Sequence, residues 1–143
     1  MKLFSLLLII LFSIVSFATE PPNVLGTWTC SQKDCKVEIY KVGTTYEAKL
    51  IWARKELDEK GNSKLDVKNP DPAKRKLPII GSKTLWNAKY NATTGYFEGA
   101  TAYRNGKYFC GKFKLNQDGS IIITGYNCTL KFLKFSDTWT RVK

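Results

Sequence analysis

Four cysteines carry the most distinctive chemistry of this 143-residue sequence, which contains no histidine. Without histidine there is no Cys–His or Ser–His nucleophile pair, no histidine-liganded zinc and no imidazole pH switch. The cysteine spacing also lacks the two short pairs typical of a zinc site. We therefore expect two disulfide bonds, no metal, no cofactor and no enzymatic activity. The four residues are Cys30, Cys35, Cys110 and Cys128.

The spacing of the cysteines favours one of the three pairings that four cysteines allow. Cys30 and Cys35 flank a four-residue polar loop between two runs that resemble strands. These positions lie opposite each other on a hairpin, at a separation that suits a disulfide. Cys110 and Cys128 then pair by elimination, across the next-to-last hairpin.

The first 18 residues have the pattern of a signal peptide. A positive start at Lys2 precedes an apolar run over residues 3–17, and Ser16 and Ala18 supply the small residues of a cleavage site. The run suits a signal peptide better than a membrane span, which needs roughly 20 apolar residues; an uncleaved anchor is the alternative. We expect a signal peptide at 1–18 and a monomeric extracytoplasmic domain at 19–143, either periplasmic or secreted.

The remaining sequence has the pattern of an all-β protein. Runs rich in β-branched and aromatic residues alternate with turn residues, among them Asn105-Gly106 and Asp118-Gly119, which supply the positive φ angles of tight hairpins. Eight consecutive hairpin-linked strands predict a closed, antiparallel up-and-down barrel, with a sandwich as the alternative. The predicted strands are residues 24–30, 36–42, 45–54, 83–88, 96–103, 107–115, 120–128 and 131–142.

A long loop after the third strand, residues 55–78, interrupts the series of hairpin-linked strands. We call this loop the flap. It holds seven basic and five acidic residues, and its prolines disfavour a continuous strand or helix. Loops of this length inside a compact domain are either functional or disordered. Apolar residues such as Leu65 and Leu77, and turn-forming Asn69 and Asp71, favour an ordered flap over one barrel mouth.

The candidate ligand-binding residues come from the flap and from the strands. An arginine binds a carboxylate or phosphate through two parallel hydrogen bonds, which makes Arg75 the first candidate for an acidic group. Asn69 and Asp71 lie beside it in the sequence. Aromatic side chains on the strands are expected to wall a cavity, although they suit a dry core equally well. These are Trp52, Trp86, Tyr103, Phe109 and Phe113.

Two sets of motifs resemble known proteins. Gly26-Thr27-Trp28 near the start and Trp139-Thr140-Arg141 near the end resemble the lipocalin-like (calycin) barrels. That resemblance implies that Arg141 lies over Trp28 and closes the barrel floor. The segment Asn69-Pro70-Asp71-Pro72 with Arg75 downstream, together with the ending, resembles a family of small exported bacterial proteins of unknown function with a lipocalin-like barrel. That family has no established activity that could be transferred to this sequence, and its cysteines lie at other positions than the four in this sequence.

The functional expectation is a non-catalytic protein that holds a small hydrophobic or amphipathic molecule, with an acidic head, in the barrel. A protein-interaction or inhibitor module that uses the flap or the basic outer face is the alternative. Without residues 1–18 the net charge is +10, because only Lys2 is lost from a total of +11. This charge favours a solvated surface or an anionic envelope surface, and export makes nucleic acid an unsuitable partner.

Overall fold

A computed structural model describes residues 19–143, and the predicted signal peptide lies outside the described residues. Eight antiparallel strands pair in chain order, and the first also pairs with the last, which confirms the predicted closed barrel. The strands are β1 Gly26–Thr29, β2 Cys35–Val42, β3 Thr45–Ala53, β4 Lys83–Asn91, β5 Tyr96–Arg104, β6 Lys107–Leu115, β7 Ile121–Tyr126 and β8 Lys134–Arg141.

The barrel has two ends with different connections. The turns β2–β3, β4–β5 and β6–β7 lie at the end where β1 starts and β8 finishes, which we call the Trp28 end. The connections β1–β2, β3–β4, β5–β6 and β7–β8 lie at the opposite end. The flap is the β3–β4 connection, so we call this second end the flap end.

Cross-strand pairing shows which side chains face the barrel interior. Leu85 of β4 pairs with Ala102 of β5, which in turn pairs with Phe109 of β6. Leu85 belongs to the buried core, so this row faces inward. Successive side chains on a strand point to opposite faces. The neighbouring residues Trp86, Thr101 and Cys110, which also pair with one another, therefore face outward, as do Tyr103 and Tyr108.

Two irregular positions change this alternation within a strand. Asn87 has a φ of 64°, and both Leu85 and Ala88 on either side of the pair Trp86-Asn87 are buried. Gly99 has a φ of 71° at a register shift between β5 and β6. An extra residue of this kind bends a strand and redirects the side chains beyond it. The faces of β4 and β5 therefore do not follow from simple alternation along the sequence.

Aromatic rings fill the interior near the Trp28 end. Phe97 stacks on Phe113 with 4.6 Å between ring centroids, and Tyr46 meets Phe97 edge-on at 4.7 Å. Trp28 and Ile121 are fully buried in the same cluster. Such packing stabilises the barrel through the apolar area removed from water and through favourable ring geometry. This half of the barrel is a core of the chain's own side chains.

Two strands are shorter than predicted around the β7–β8 connection. β7 ends at Tyr126 and β8 begins at Lys134, whereas the sequence pattern extended them to residues 128 and 131. Asn127 explains the difference, because its side-chain oxygen accepts hydrogen bonds from the backbone N–H groups of Thr129 and Leu130. Asparagine commonly forms such a turn, which competes with continued strand pairing.

Both predicted disulfides are present. Cys30 and Cys35 have α-carbons 5.4 Å apart and close the β1–β2 loop, and Cys110 and Cys128 are 5.1 Å apart. The second bond connects the outer face of β6 to the β7–β8 loop. Within residues 19–143, the structure contains no helix with the length and apolarity that a membrane crossing requires.

Arg141 connects the two ends of the chain at the barrel floor. Its guanidinium carbon lies 4.3 Å from the centroid of the Trp28 ring. Its terminal nitrogens donate hydrogen bonds to the backbone carbonyls of Leu25 and Asn23. The same side chain therefore covers the indole and satisfies two carbonyls that precede β1.

Replacing Arg141 with methionine tests this role. We expect Arg141→Met to lower the free energy of unfolding by about 2 kcal/mol, because a cation–π contact and two charge-assisted hydrogen bonds at a partly solvated site are lost. Urea denaturation followed by tryptophan fluorescence measures the change. The control Arg104→Met removes an exposed arginine at the flap end and should change stability by less than about 0.5 kcal/mol. Equal losses in the two variants would contradict the role of Arg141.

Candidate functional site

The flap is ordered, as the sequence predicts, but its position differs from the prediction. Short 3-10 turns at Arg54–Glu56 and Pro72–Lys74 and an isolated bridge between Leu65 and Pro78 give it regular structure. Its central part packs on the outer face of the barrel wall, against the β5–β6 turn, rather than over the barrel mouth. The reason is that Tyr103, which anchors it, points outward from β5.

Asp66 is the centre of the contact between the flap and the wall. Its carboxylate is buried and accepts hydrogen bonds from the Tyr103 hydroxyl at 2.8 Å and from the Asn69 amide at 2.7 Å. The Tyr103 oxygen in turn accepts a bond of 3.1 Å from the backbone N–H of Gly106. Burial of a carboxylate is costly unless such partners satisfy it, so the three residues hold the flap in one position.

The tyrosine of this contact stays protonated over a wide pH range. Burial, followed by the hydrogen bond to Asp66 and the charge of that carboxylate, raises the pKa of Tyr103 to about 12. The raised pKa means that the phenol remains a hydrogen-bond donor at every physiological pH. The Tyr103 phenol is therefore not a pH switch near neutrality.

A cavity of about 520 Å³ lies between the flap and the outer wall. Its volume falls in the range of small-molecule sites, roughly 300–1,000 Å³. We call it the flap cavity. Its lining residues are Asp66, Asn69, Lys74, Leu77, Pro78, Ser82, Lys83, Trp86, Tyr103 and Tyr108.

The walls of the flap cavity are mainly apolar and aromatic. Trp86 meets Tyr108 edge-on at 6.1 Å between ring centroids, and Tyr103 lies 5.3 Å from Tyr108. Leu77 and Pro78 of the flap also line the cavity. Such a surface suits the apolar part of a ligand, and the polar groups form the smaller part of the lining.

Two lysines bring positive charge to the flap cavity. The ammonium of Lys83 lies 2.7 Å from the carboxylate of Glu47, which also accepts a 2.9 Å hydrogen bond from Tyr40. The hydrogen bond from Lys83 holds the pKa of Glu47 below its usual value. Lys74 is less engaged, because its ammonium is 3.9 Å from the Asp71 carboxylate and its side chain is more than half exposed. Lys74 is the cation with the most freedom to meet an acidic ligand.

The structure brings together three of the eight residues predicted to bind a ligand. Asn69, Trp86 and Tyr103 line the flap cavity. Asp71 and Arg75 lie in the flap but support its backbone: Asp71 accepts from the N–H of Ala73, and the Arg75 Nε donates to the carbonyl of Asn69.

The other three predicted ligand residues lie away from the flap cavity. Trp52 is half-buried on β3, opposite Lys36. Phe113 is buried in the core, and Phe109 faces the interior, where it meets Phe135 edge-on at 5.4 Å. A ligand role for these three stays a prediction that applies to the barrel interior.

Sequence reasoning missed several residues of the flap cavity, including Asp66, Lys74, Lys83 and Tyr108. The position of Tyr108 could have been predicted from the turn that precedes it. A two-residue Asn105-Gly106 turn pairs Arg104 with Lys107, and therefore places Tyr103 beside Tyr108 on one face. Asp66 and Lys83 had no comparable signal, because their positions depend on where the flap packs. Within residues 19–143, no group of three or more His, Cys, Asp or Glu side chains is placed to hold a metal ion.

Comparisons with known proteins agree with this architecture. The structure is similar to protein HP1028 from the human pathogen Helicobacter pylori, described as belonging to the lipocalin family. The TM-score is 0.72 at 20% sequence identity, over 85% of this chain and 84% of the other. At that identity the similarity shows the fold, which is a lipocalin-like barrel. No match is found among curated proteins.

Residues 26–141 match the model of a family described as "Uncharacterized protein conserved in bacteria (DUF2147)". The matched segment covers most of the chain and all eight strands. The chain therefore belongs to this family, which confirms the resemblance to a bacterial family of unknown function.

Gly106 offers a direct test of the contact between flap and wall. A Cβ at this position would lie 2.6 Å from the backbone oxygen of Lys68, so Gly106→Ala should displace the flap. We expect trypsin to cleave the flap at least about tenfold faster than in the wild type, because local opening exposes its basic residues. Cleavage sites and rates are measured by mass spectrometry after brief digestion.

Gly119→Ala is the matched control for this experiment. Gly119 has the same φ of 82° as Gly106, but a Cβ there would meet nothing within 4 Å. Both variants carry the same backbone strain, about 1 kcal/mol for alanine in the left-handed region. Only Gly106→Ala should accelerate cleavage of the flap; similar acceleration in both would show that backbone strain alone is responsible.

The lowered pKa of Glu47 predicts how the free energy of unfolding changes at acidic pH. Because its pKa is lower in the folded than in the unfolded chain, its stabilising contribution is complete above the unfolded pKa and is lost as the pH falls through the folded value. Glu47→Gln should therefore lose less stability than the wild type between neutral pH and about pH 2. Urea midpoints at the two pH values measure this. The control Glu38→Gln removes a solvent-exposed ion pair with Lys49. It should lose as much stability between the two pH values as the wild type does.

Proposed function

We propose that this protein binds a small amphipathic molecule with an acidic head, without catalysis, in the flap cavity. The observation that carries the proposal is a mainly apolar cavity of about 520 Å³, bordered by a flap that hydrogen bonds to Asp66 hold in place. A preformed cavity lowers the entropy cost of binding, since little of the protein must be ordered when the ligand enters.

The arrangement of the lining supports the class of ligand. Trp86 and Tyr108 offer broad apolar surfaces, and Lys74 and Lys83 place ammonium groups on the same cavity. A chain or ring packed on the aromatic side chains, with a carboxylate or phosphate directed at Lys74, satisfies both features. We favour this location over the Trp28 end of the barrel interior, because aromatic side chains fill that end.

We further propose that the protein acts outside the cytoplasm after removal of residues 1–18. Two disulfide bonds within residues 19–143 support this location, because such bonds persist in oxidising compartments.

Titration with dodecanoate and dodecanol tests the proposed ligand class. We expect dodecanoate to quench or shift tryptophan fluorescence, and dodecanol to bind about fivefold more weakly because it lacks the charge. Trp86→Phe should remove most of the signal. Lys74→Gln should weaken dodecanoate binding by about the same factor of five, whereas Lys76→Gln, outside the cavity lining, should not.

Adjacent residues on β6 distinguish the flap cavity from the barrel interior. Tyr108 lines the flap cavity and Phe109 faces inward. Tyr108→Ala should weaken dodecanoate binding by about tenfold through lost aromatic contact, and Phe109→Ala should leave it unchanged. The reverse result would place the ligand inside the barrel, and absence of binding by the wild type would reject the ligand class.

A protein partner for the flap is the second candidate function. Leu65 and Val67 are exposed on this ordered segment, and exposed apolar residues on a rigid loop favour protein contacts. Under this function Val67→Ser would weaken a complex without changing the affinity for dodecanoate.

A further inference from the structure

The β7–β8 connection displays an unusual concentration of exposed apolar side chains at the flap end. We call residues 127–133 the apolar loop. Phe132 is 75% exposed, Leu133 52% and Leu130 46%. Single exposed apolar residues are ordinary, but three within four positions form an apolar patch that favours a contact with another surface.

The apolar loop is held in this exposed conformation by its own contacts. The Asn127 side chain caps the backbone of Thr129 and Leu130, and the backbone N–H of Asn127 donates to the carbonyl of Leu133. The disulfide between Cys128 and Cys110 fixes the loop to the outer face of β6. Phe132 therefore stays in water although the loop is structured, which costs free energy unless another surface covers it.

Positive charges accompany these apolar side chains. Lys131 and Lys134 flank Phe132 and Leu133 in the sequence, and both lysines are exposed. No acidic residue occurs between Asp118 and Asp137. Among residues 19–143, no ion pair involves either lysine.

The neighbouring connection extends this charge. Arg104 and Lys107 flank the β5–β6 turn, which is at the same end of the barrel and is next to the apolar loop through the pairing of β6 with β7. Both are exposed. The acidic residues of this end belong to the β1–β2 loop and the flap. The face built from the β5–β6 and β7–β8 connections is therefore basic and apolar.

We propose that the apolar loop docks the protein on the surface of an anionic lipid bilayer. Phenylalanine and leucine side chains enter the boundary between headgroups and acyl chains, while lysines at intervening positions reach the lipid phosphates. Each lysine near an anionic surface strengthens binding by about fivefold. This combination of exposed rings and unpaired ammonium groups matches a lipid surface better than a protein partner, which would offer fixed carboxylates to only some of these lysines. The inference does not depend on the ligand proposed for the flap cavity.

Vesicle flotation with residues 19–143 tests this docking. The closed barrel lies entirely within that segment, and the apolar residues 3–17 would themselves bind lipid. Vesicles of equal parts phosphatidylglycerol and phosphatidylcholine are compared with pure phosphatidylcholine. We expect binding to the anionic vesicles that weakens with added salt and is much lower on the neutral vesicles.

Variants locate the contact. Phe132→Ser should reduce binding to anionic vesicles by about tenfold, and Lys131→Gln and Lys134→Gln by about fivefold each. Val42→Ser is the matched control, because Val42 is also exposed but lies at the Trp28 end. Circular dichroism verifies that each variant is folded. Tyr108→Ala, which alters the flap cavity, should leave vesicle binding unchanged.

Three results would overturn the inference. They are the absence of binding to anionic vesicles, equal binding by Phe132→Ser and the wild type, and an equal loss in Val42→Ser. Concentration-dependent dimerisation that Phe132→Ser abolishes, measured by analytical ultracentrifugation without lipid, would assign the patch to a second copy of the chain instead.

Discussion

The buried carboxylate of Asp66 is the interaction on which the arrangement outside the barrel depends. It belongs to the flap, yet one of its two hydrogen-bond donors, Tyr103, belongs to the wall. Leaving a buried carboxylate without partners costs several kcal/mol, so the flap is stable only where Tyr103 can reach it. The position of the flap then determines which wall residues are covered and where the flap cavity forms.

The strand pattern and the turn residues were sufficient to predict the barrel. The eight strand-like runs, the short turns between them and the resemblance to lipocalin-like barrels all indicated the same fold. The face of each side chain was harder to predict. On β4, the bulge near Asn87 places Leu85 and Ala88 on the same face of the sheet. On β5, the irregularity at Gly99 likewise changes which of the following residues face the interior. Simple alternation cannot detect such extra residues. Simple alternation from Phe97 therefore does not give the outward orientation that strand pairing shows for Tyr103.

The flap shows a second limit of sequence reasoning. Its apolar residues, such as Leu65 and Leu77, and the turn-forming Asn69 and Asp71 indicated an ordered loop. The partner of Asp66 lies 37 residues away in the sequence, however, and nothing local specifies that contact. The sequence also did not indicate that the Nε of Arg75 donates to the carbonyl of Asn69 within the flap. Local chemistry predicted turns well and long-range partners poorly.

The seam between the first and last strands has a consequence for how the polypeptide acquires its structure. Only two residue pairs join β1 to β8, and Arg141 reaches a carbonyl 116 positions earlier in the chain. During synthesis, the growing chain cannot complete its ring of strands until Arg141, at the end of β8, has emerged. Until then both margins of the sheet stay open to solvent and to other chains, and the high sequence separation of the closing contacts slows the final step. A ribosome-bound chain whose last strand, β8, has not yet emerged thus remains an unclosed sheet.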